Sequence, residues 1–204
     1  RELIAEAFVP FERETSVIAS RDRDGNIVVF PMTENVHHEG ILRYSLYPAP
    51  ALSQEKAEQA ERYIRQLAES LDYVGTITLE LFDTEDGLVG NEVAPRVHNS
   101  GHWSIEGTEA SQFRNHMLAI TGKSLGATEP KFASVAMLNV IGEETPAEKA
   151  ESIDNAYRHS YGKEARPARK LGHVTVTGNT DAERDATITE LKALMPEGIW
   201  PPKH

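Results

Sequence analysis

Residues 76 to 93 constrain the fold of this chain more than any other stretch. In Thr76-Ile-Thr-Leu-Glu-Leu-Phe82, Ile77, Leu79 and Leu81 share one face and Thr76, Thr78 and Glu80 the other, which is the period of a strand. Asp86-Gly87 marks a turn, and Leu88 to Val93 runs back. Glu80 and Glu92 lie six residues either side of Asp86, so a hairpin centred there sets two carboxylates against each other. Directly opposed Cβ atoms are about 4.5–5.5 Å apart, and like charges at that separation destabilise the pair. A divalent cation removes the penalty. Oxygen ligands and incomplete coordination by protein suit Mg²⁺, which keeps waters and phosphate oxygens as its other ligands. A register slip of one residue would instead turn one of the two Glu to solvent. Asn91, next door, is placed to hydrogen-bond a metal-bound phosphate.

The return strand runs into Asn91-Glu92-Val-Ala-Pro-Arg96-Val-His98-Asn99-Ser100-Gly101-His102-Trp103-Ser104. One acid, one arginine, two histidines and two asparagines share these fourteen residues. The stretch is too polar for a core strand and too short of Lys and Glu for an ordinary solvated loop. A carboxylate, a fixed cation and imidazoles close together can hold a metal, an oxyanion and a proton at one place. Arg96 offers a planar fork matched to carboxylate or phosphate, with a loop-tying salt bridge as a compatible role. Trp103 reads as packing.

The chain has 204 residues, 39% hydrophobic and 26% charged, an ordinary globular composition with room for one large or two small domains. A net charge of −11 argues against nucleic acid or an anionic membrane as partner, though local basic spots can still bind small phosphates. Cysteine is absent, so there are no disulfides and no thiolate chemistry, in keeping with a reducing, cytoplasmic compartment. No apolar run is long enough to span a membrane, and no signal-peptide pattern is visible.

Along the chain, residues 3 to 20 and 26 to 32, joined by Asp24-Gly25, read as an antiparallel pair. Residues 35 to 50 read as a loop. Ser53 caps a helix with Ala57, Ala60, Ile64, Leu67 and Leu71 on its buried side. A helix over roughly 109 to 121 places Phe113, Met117 and Ile120 together. Phe132 to Ile141 is a buried strand, Thr145-Pro146-Ala147-Glu148 a capping box, Leu171 to Thr177 a strand, and Thr180 caps a last helix to about Met195. A change of character near residue 123 divides the chain into two α+β units, 1–122 and 123–204, the second small and β-rich. Residue 1 is Arg and the pattern begins abruptly, so a fragment of a longer protein is expected.

Glu80 in its strand, followed by the 91–103 motif, resembles the ATP-grasp family of 5-(carboxyamino)imidazole ribonucleotide synthases. The similarity extends to Glu6-Ala7-Phe8-Val9-Pro-Phe-Glu-Arg-Glu14, to Glu34 through Tyr44, and to Arg166-Pro-Ala-Arg169-Lys170-Leu-Gly-His173. It implies an α+β fold: the C-terminal portion of an ATP-grasp domain, a mixed or antiparallel sheet with helices, then a small β-rich domain. The family carries, ahead of the Glu6 segment, an N-terminal domain and the first part of the grasp domain. The implied reaction is ATP-driven carboxylation of aminoimidazole ribonucleotide by bicarbonate, through carboxyphosphate, in purine biosynthesis.

The resemblance also implies roles. Glu6 accepts from the adenine amino group and the Val9 backbone reads the ring edge, with Ala7 and Phe8 between them. Glu14 binds the nucleotide ribose and His37 sits near the nucleotide. Glu80 and Glu92 hold Mg²⁺ bridging the ATP phosphates. Arg96 and His98 carry the chemistry, His98 by moving a proton. Asn99, Ser100 and His102 contact the ribonucleotide, and Lys163, Arg169 and Lys170 meet its 5′-phosphate side. Family members are often homodimers. Two rival readings remain. A formate-dependent glycinamide ribonucleotide formyltransferase shares the Glu-Val-x-Pro-Arg-x-His theme but continues with Asp-Thr-Gly, where this chain has Asn99-Ser100-Gly101. A non-catalytic nucleotide-binding module, made by truncation, is the other.

Overall fold

The computed structural model describes residues 3–4, 6–143 and 147–194. Eight strands form one sheet: β1 (Arg13–Arg21), β2 (Ile27–His38), β3 (Ile41–Tyr47), β4 (Gly75–Thr84), β5 (Gly87–Ala94), β6 (Ser134–Ile141), β7 (Ala156–Ser160) and β8 (Lys170–Gly178). Their order is β5-β4-β1-β2-β3-β6-β8-β7, and every neighbouring pair is antiparallel. The helices are α1 (Gln54–Ser70), α2 (Ser104–Gly107), α3 (Gln112–Ile120), α4 (Ala147–Glu151) and α5 (Asp181–Lys192).

The sheet has one apolar face and one polar face, because strand side chains alternate. Val17, Ala19, Ile77 and Leu81 point to the side where α1 buries Ala60, Ile64 and Ala68. Ser53 fixes the start of α1 by accepting from the Lys56 N–H. Further along the sheet, Leu138, Val140, Leu171, Val174 and Val176 pack with Ile153 and Leu191. Val36, Tyr44 and Leu46 of β2 and β3 belong to that same cluster. The core and the hydrogen-bonded sheet are therefore continuous across residue 122, and the change of character near 123 falls between α3 and β6.

The other face carries Ser16, Ser20, Thr76, Thr78, Asn139, Thr175 and His173, all buried. Residues 98 to 121 cover it. Ser16 donates to Ser100 at 2.8 Å, and Thr76 Oγ1 donates to the Gln112 carbonyl at 3.2 Å. Trp103, stacked on Tyr47 at 5.0 Å, seats this cover on a small apolar island with Leu42, Val135 and Met137.

Several elements differ from the sequence reading. Residues 35 to 50 are not a loop: β2 continues to His38 and turns into β3 through Glu39 (φ 53) and Gly40 (φ 71). Positive φ at both central residues is the two-residue hairpin turn whose twist suits the flanking strands. The first strand begins only at Arg13. Helix α3 starts at Gln112, capped by Ser111, and its buried side is Gln112, Asn115 and Ala119. Phe113, Met117 and Ile120 lie together but face outward. The β7 strand carries too little alternation to have been read. Thr145 and Pro146 of the capping box, and the chain from Met195 onward, lie outside the described residues.

Candidate active site

Glu80 and Glu92 are direct partners across β4 and β5. The route differs from a turn centred on Asp86. The loop is Glu85-Asp86, pairing Thr84 with Gly87, and the ladder then runs Asp83 to Leu88, Phe82 to Val89 and Leu81 to Gly90. A bulge at Asn91 inserts one extra residue and brings Glu92 opposite Glu80. The two carboxylates thus share the polar face. Glu92 lies on the exposed edge strand, whereas Glu80 is mostly covered. Burial pushes the Glu80 carboxyl above the usual carboxylate range. His37 pulls it back, Glu92 and Glu14 push it further up, and Lys170 opposes them.

His98 Nε2 lies 3.2 Å from Glu80 Oε1. On the ring's other side, Ser100 Oγ is 2.9 Å from Nδ1, and the Ser100 N–H points at the same atom from 3.4 Å. A backbone N–H can only donate, which makes Nδ1 the acceptor and assigns the proton to Nε2, facing Glu80. Burial, with Arg96 and Lys170 nearby, pushes His98 down to about 4, so the ring is neutral near pH 7. Beside this pair, His37 Nδ1 sits 2.6 Å from Glu14 Oε2 across β1 and β2.

A second polar group adjoins it. Asn99 and Asn139 exchange side-chain hydrogen bonds of 3.0 and 2.6 Å, and Lys170 Nζ donates to Asn99 Oδ1 at 3.0 Å. Burial lowers the Lys170 pKa, while Glu80 raises it. His102 ring stands 5.2 Å from that of His173, which stacks on His159 at 4.5 Å and accepts or donates at Nδ1 with Tyr161 OH, 2.8 Å away. Burial pushes His102 down to about 4, with Lys170 acting in the same direction and a hydrogen bond to the His98 backbone opposing it. His159 also pairs with Glu106 at 2.8 Å.

Of the expected site residues, Glu14, His37, Glu80, Glu92, His98, Asn99, Ser100, His102 and Lys170 fall on or beside the polar face. Glu6, Ala7 and Phe8 are exposed, and Val9 partly so, on the extended segment before β1. Asn91 is exposed in the bulge. Arg96 is exposed, its Nη1 donating to the Val97 carbonyl at 3.0 Å. Lys163 Nζ lies over the Tyr161 ring, 5.0 Å from its centre, and Arg169 turns to the Glu164 carbonyl at 3.4 Å. Ser16, Gln112, Asn139, Tyr161 and His173 were not anticipated. Asn139, a lone amide inside an apolar run, was the one signal available.

Among the described residues, no group of three or more His, Cys, Asp or Glu side chains converges as a full cage would. Two opposed carboxylates, one of them raised by burial and by its neighbour, fit a cation that takes its other ligands from phosphate and water.

An ATP-grasp domain model matches residues 1–113, more than half of the chain. The chain belongs to the ATP-grasp family. A second model, the phosphoribosylaminoimidazole carboxylase C-terminal domain, matches residues 135–187. This ATP-grasp chain is 42% identical over 203 residues to the N5-carboxyaminoimidazole ribonucleotide synthase of Vibrio parahaemolyticus, covering 99% of itself and 52% of that protein. It therefore spans about half the length of the curated relatives it matches. The crystal structure of N5-carboxyaminoimidazole ribonucleotide synthetase from Thermus thermophilus superposes with a TM-score of 0.92 at 45% identity, over 96% of this chain and 54% of that one. The Aspergillus clavatus N5-carboxyaminoimidazole synthase, solved with ADP and 5-aminoimidazole ribonucleotide, gives 0.85 at 34% identity, over 92% and 52%. No helix of the described residues is long and apolar enough to cross a membrane.

Proposed function

We propose that this chain is part of an ATP- and Mg²⁺-dependent ligase that carboxylates aminoimidazole ribonucleotide with bicarbonate. The observation that carries the reading is the Glu80–Glu92 pair on one face of the sheet, with His98 on Glu80 and Asn99–Lys170 beside it. ADP and 5-aminoimidazole ribonucleotide in the Aspergillus relative support both ligand classes.

In the first step a bicarbonate oxygen attacks the γ-phosphorus of ATP, and ADP leaves with the bond's electron pair, giving carboxyphosphate. In the second, the amine of the ribonucleotide takes the carboxyl carbon, phosphate departs, and the amine loses a proton. The products are 5-(carboxyamino)imidazole ribonucleotide, ADP and phosphate. Bound Mg²⁺ supplies charge neutralisation at the transferring phosphoryl group. Glu80 and Glu92 hold it, and Asn91 hydrogen-bonds a phosphate oxygen. Arg96, exposed and unburdened by a carboxylate partner in its loop, is free to fork onto carboxylate or phosphate. His98, held against Glu80, is the group proposed to move the proton that the amine or bicarbonate releases.

Glu6, Ala7, Phe8 and Val9 line the adenine, Glu14 takes the ribose hydroxyls and His37 stands beside them. Asn99, Ser100 and His102 contact the ribonucleotide, and Lys163, Arg169 and Lys170 attract its 5′-phosphate. The proposed enzyme is cytoplasmic, consistent with a chain without cysteine, and homodimeric, which sedimentation of the full-length protein checks.

The test is phosphate release from ATP by the full-length protein in bicarbonate, with and without aminoimidazole ribonucleotide. Stimulation by the ribonucleotide is expected. Stimulation by formate with glycinamide ribonucleotide instead would replace this reading with the formyltransferase one, and no ATP turnover at all would sink both.

A further inference from the structure

Gln112 opens α3 and is fully buried. Its side-chain amide grips the backbone of His98 at both ends. Oε1 accepts from the His98 N–H at 2.9 Å, and Nε2 donates to the His98 carbonyl at 2.6 Å. The same Nε2 reaches His102 Nδ1 at 2.9 Å. An amide nitrogen only donates, so His102 Nδ1 is the acceptor and its ring proton lies on Nε2. The opposite amide orientation would set NH₂ against the His98 N–H and oxygen against the His98 carbonyl, so the network fixes the assignment.

Gln112 is itself held from two sides. Its N–H donates to Ser104 Oγ at 3.0 Å, and its carbonyl accepts from Thr76 of β4 at 3.2 Å. Gly101 completes the arrangement, since a Cβ there would run into the Ile18 side chain and come within 2.8 Å of Gln112 Oε1. One side chain from α3 therefore fastens both ends of the segment from His98 to His102 to the sheet. The His98 ring meets Glu80 only if that peptide stays where it is, because Ser100 holds Nδ1 and not the main chain.

Building on the carboxylating-ligase reading, we propose that Gln112 is a positioning residue. It sets the His98 imidazole against Glu80 and locks His102 with its proton on Nε2.

The test uses the full-length protein carrying this chain. In Gln112→Glu the shape is kept, but a carboxylate oxygen replaces the donor. It accepts from His102 and repels the His98 carbonyl. Proton–nitrogen correlation spectra of the histidine side chains should show His102 protonated on Nε2 in the wild type and on Nδ1 in Gln112→Glu. Turnover should fall about 10- to 100-fold, as for a catalytic group misplaced by an ångström, with KM for ATP little changed. Gln112→Met fills the volume without hydrogen bonds and should also lower kcat selectively, a split that loss of fold alone would not give. A wild-type His102 protonated on Nδ1 overturns the proposal, whether or not Gln112→Glu folds. So does wild-type kcat in either variant. A wild type without ribonucleotide-stimulated ATP turnover would defeat the ligase reading instead, and the tautomer spectra would still decide the clamp.

Discussion

At Glu92, activity and stability should move in opposite directions. Glu92→Gln removes a charge that lies opposite Glu80, so the metal-free protein should become slightly more stable, by about 0.2–1 kcal/mol and near the lower end because Glu92 is exposed. The same change removes a metal ligand, and ATP turnover of the full-length protein should fall at least about 100-fold. Thermal unfolding without Mg²⁺ and a turnover assay with it check the two halves, and near-normal turnover would remove Glu92 from the site. His98→Ala should lower turnover by about 10²–10⁴ while ATP binding persists, measured by titration of nucleotide into the protein. Glu80, Glu92 and His98 were legible because charge inside a strand pattern, or imidazole in a short polar stretch, is unusual locally. Asn139 and His173 were not legible as site residues. Their partners Asn99 and Tyr161 are 40 and 12 positions away, and only the folded sheet brings them side by side.

Among the elements, the hairpin of β2 and β3 shows why a strand can pass for a loop. Thr33 and Asn35 are buried although polar, because one face of this sheet is a buried polar surface, and Glu34 is buried on the opposite face beside Arg13. Alternation of apolar with polar residues then loses its meaning, and Glu39-Gly40 is not among the common hairpin dipeptides. Helix α1, by contrast, has one apolar stripe on one core and was legible from its spacing, except that Leu71 is the exposed C-cap rather than part of the buried side. For α3 the stripe misled: its outward side carries Phe113, Met117 and Ile120, and its inward side carries the amides of Gln112 and Asn115. β7 lies tight against β8 at Gly172, where a Cβ would strike the His159 carbonyl oxygen. The obstacle is backbone and cannot rotate away. Gly172→Ala should destabilise the protein by about 1–3 kcal/mol and loosen β7, which amide hydrogen exchange on residues 156–160 would report. Unchanged exchange there would contradict the packing described.

For the molecule as a whole, the buried histidines tie stability to pH. Burial above all pushes His102 from 6.5 down to about 4 and His173 lower still. The unfolded chain takes up these protons near pH 6.5, and the folded chain refuses them until well below that. In that window the unfolded state binds more protons, so stability is full above about pH 6.5 and is lost as pH falls. Each such histidine contributes a slope of about 1.4 kcal/mol per pH unit. Thermal midpoints should therefore drop steadily from pH 7 to pH 5, before the carboxylates titrate, and a flat profile would mean that these rings are not held neutral. The α+β class and the antiparallel sheet were legible at this scale. That one of the core clusters spans residue 122 was not, because Tyr44 and Leu46 join the cluster of β6 and β8 through pairing between strands about 90 residues apart.

The bulge at Asn91 makes this hairpin a counting device with parity. With Asn91 bulged out, Glu92 shares a face with Glu80; were Asn91 paired in regular register instead, Glu92 would oppose Leu79 and project from the apolar side of the sheet. Deleting one residue between Thr84 and Glu92 lets a bulge-free hairpin set Glu92 opposite Glu80, whereas inserting one demands a second extra residue in the bulge or the turn. Shortening this stretch by one residue should therefore be tolerated better than lengthening it by one.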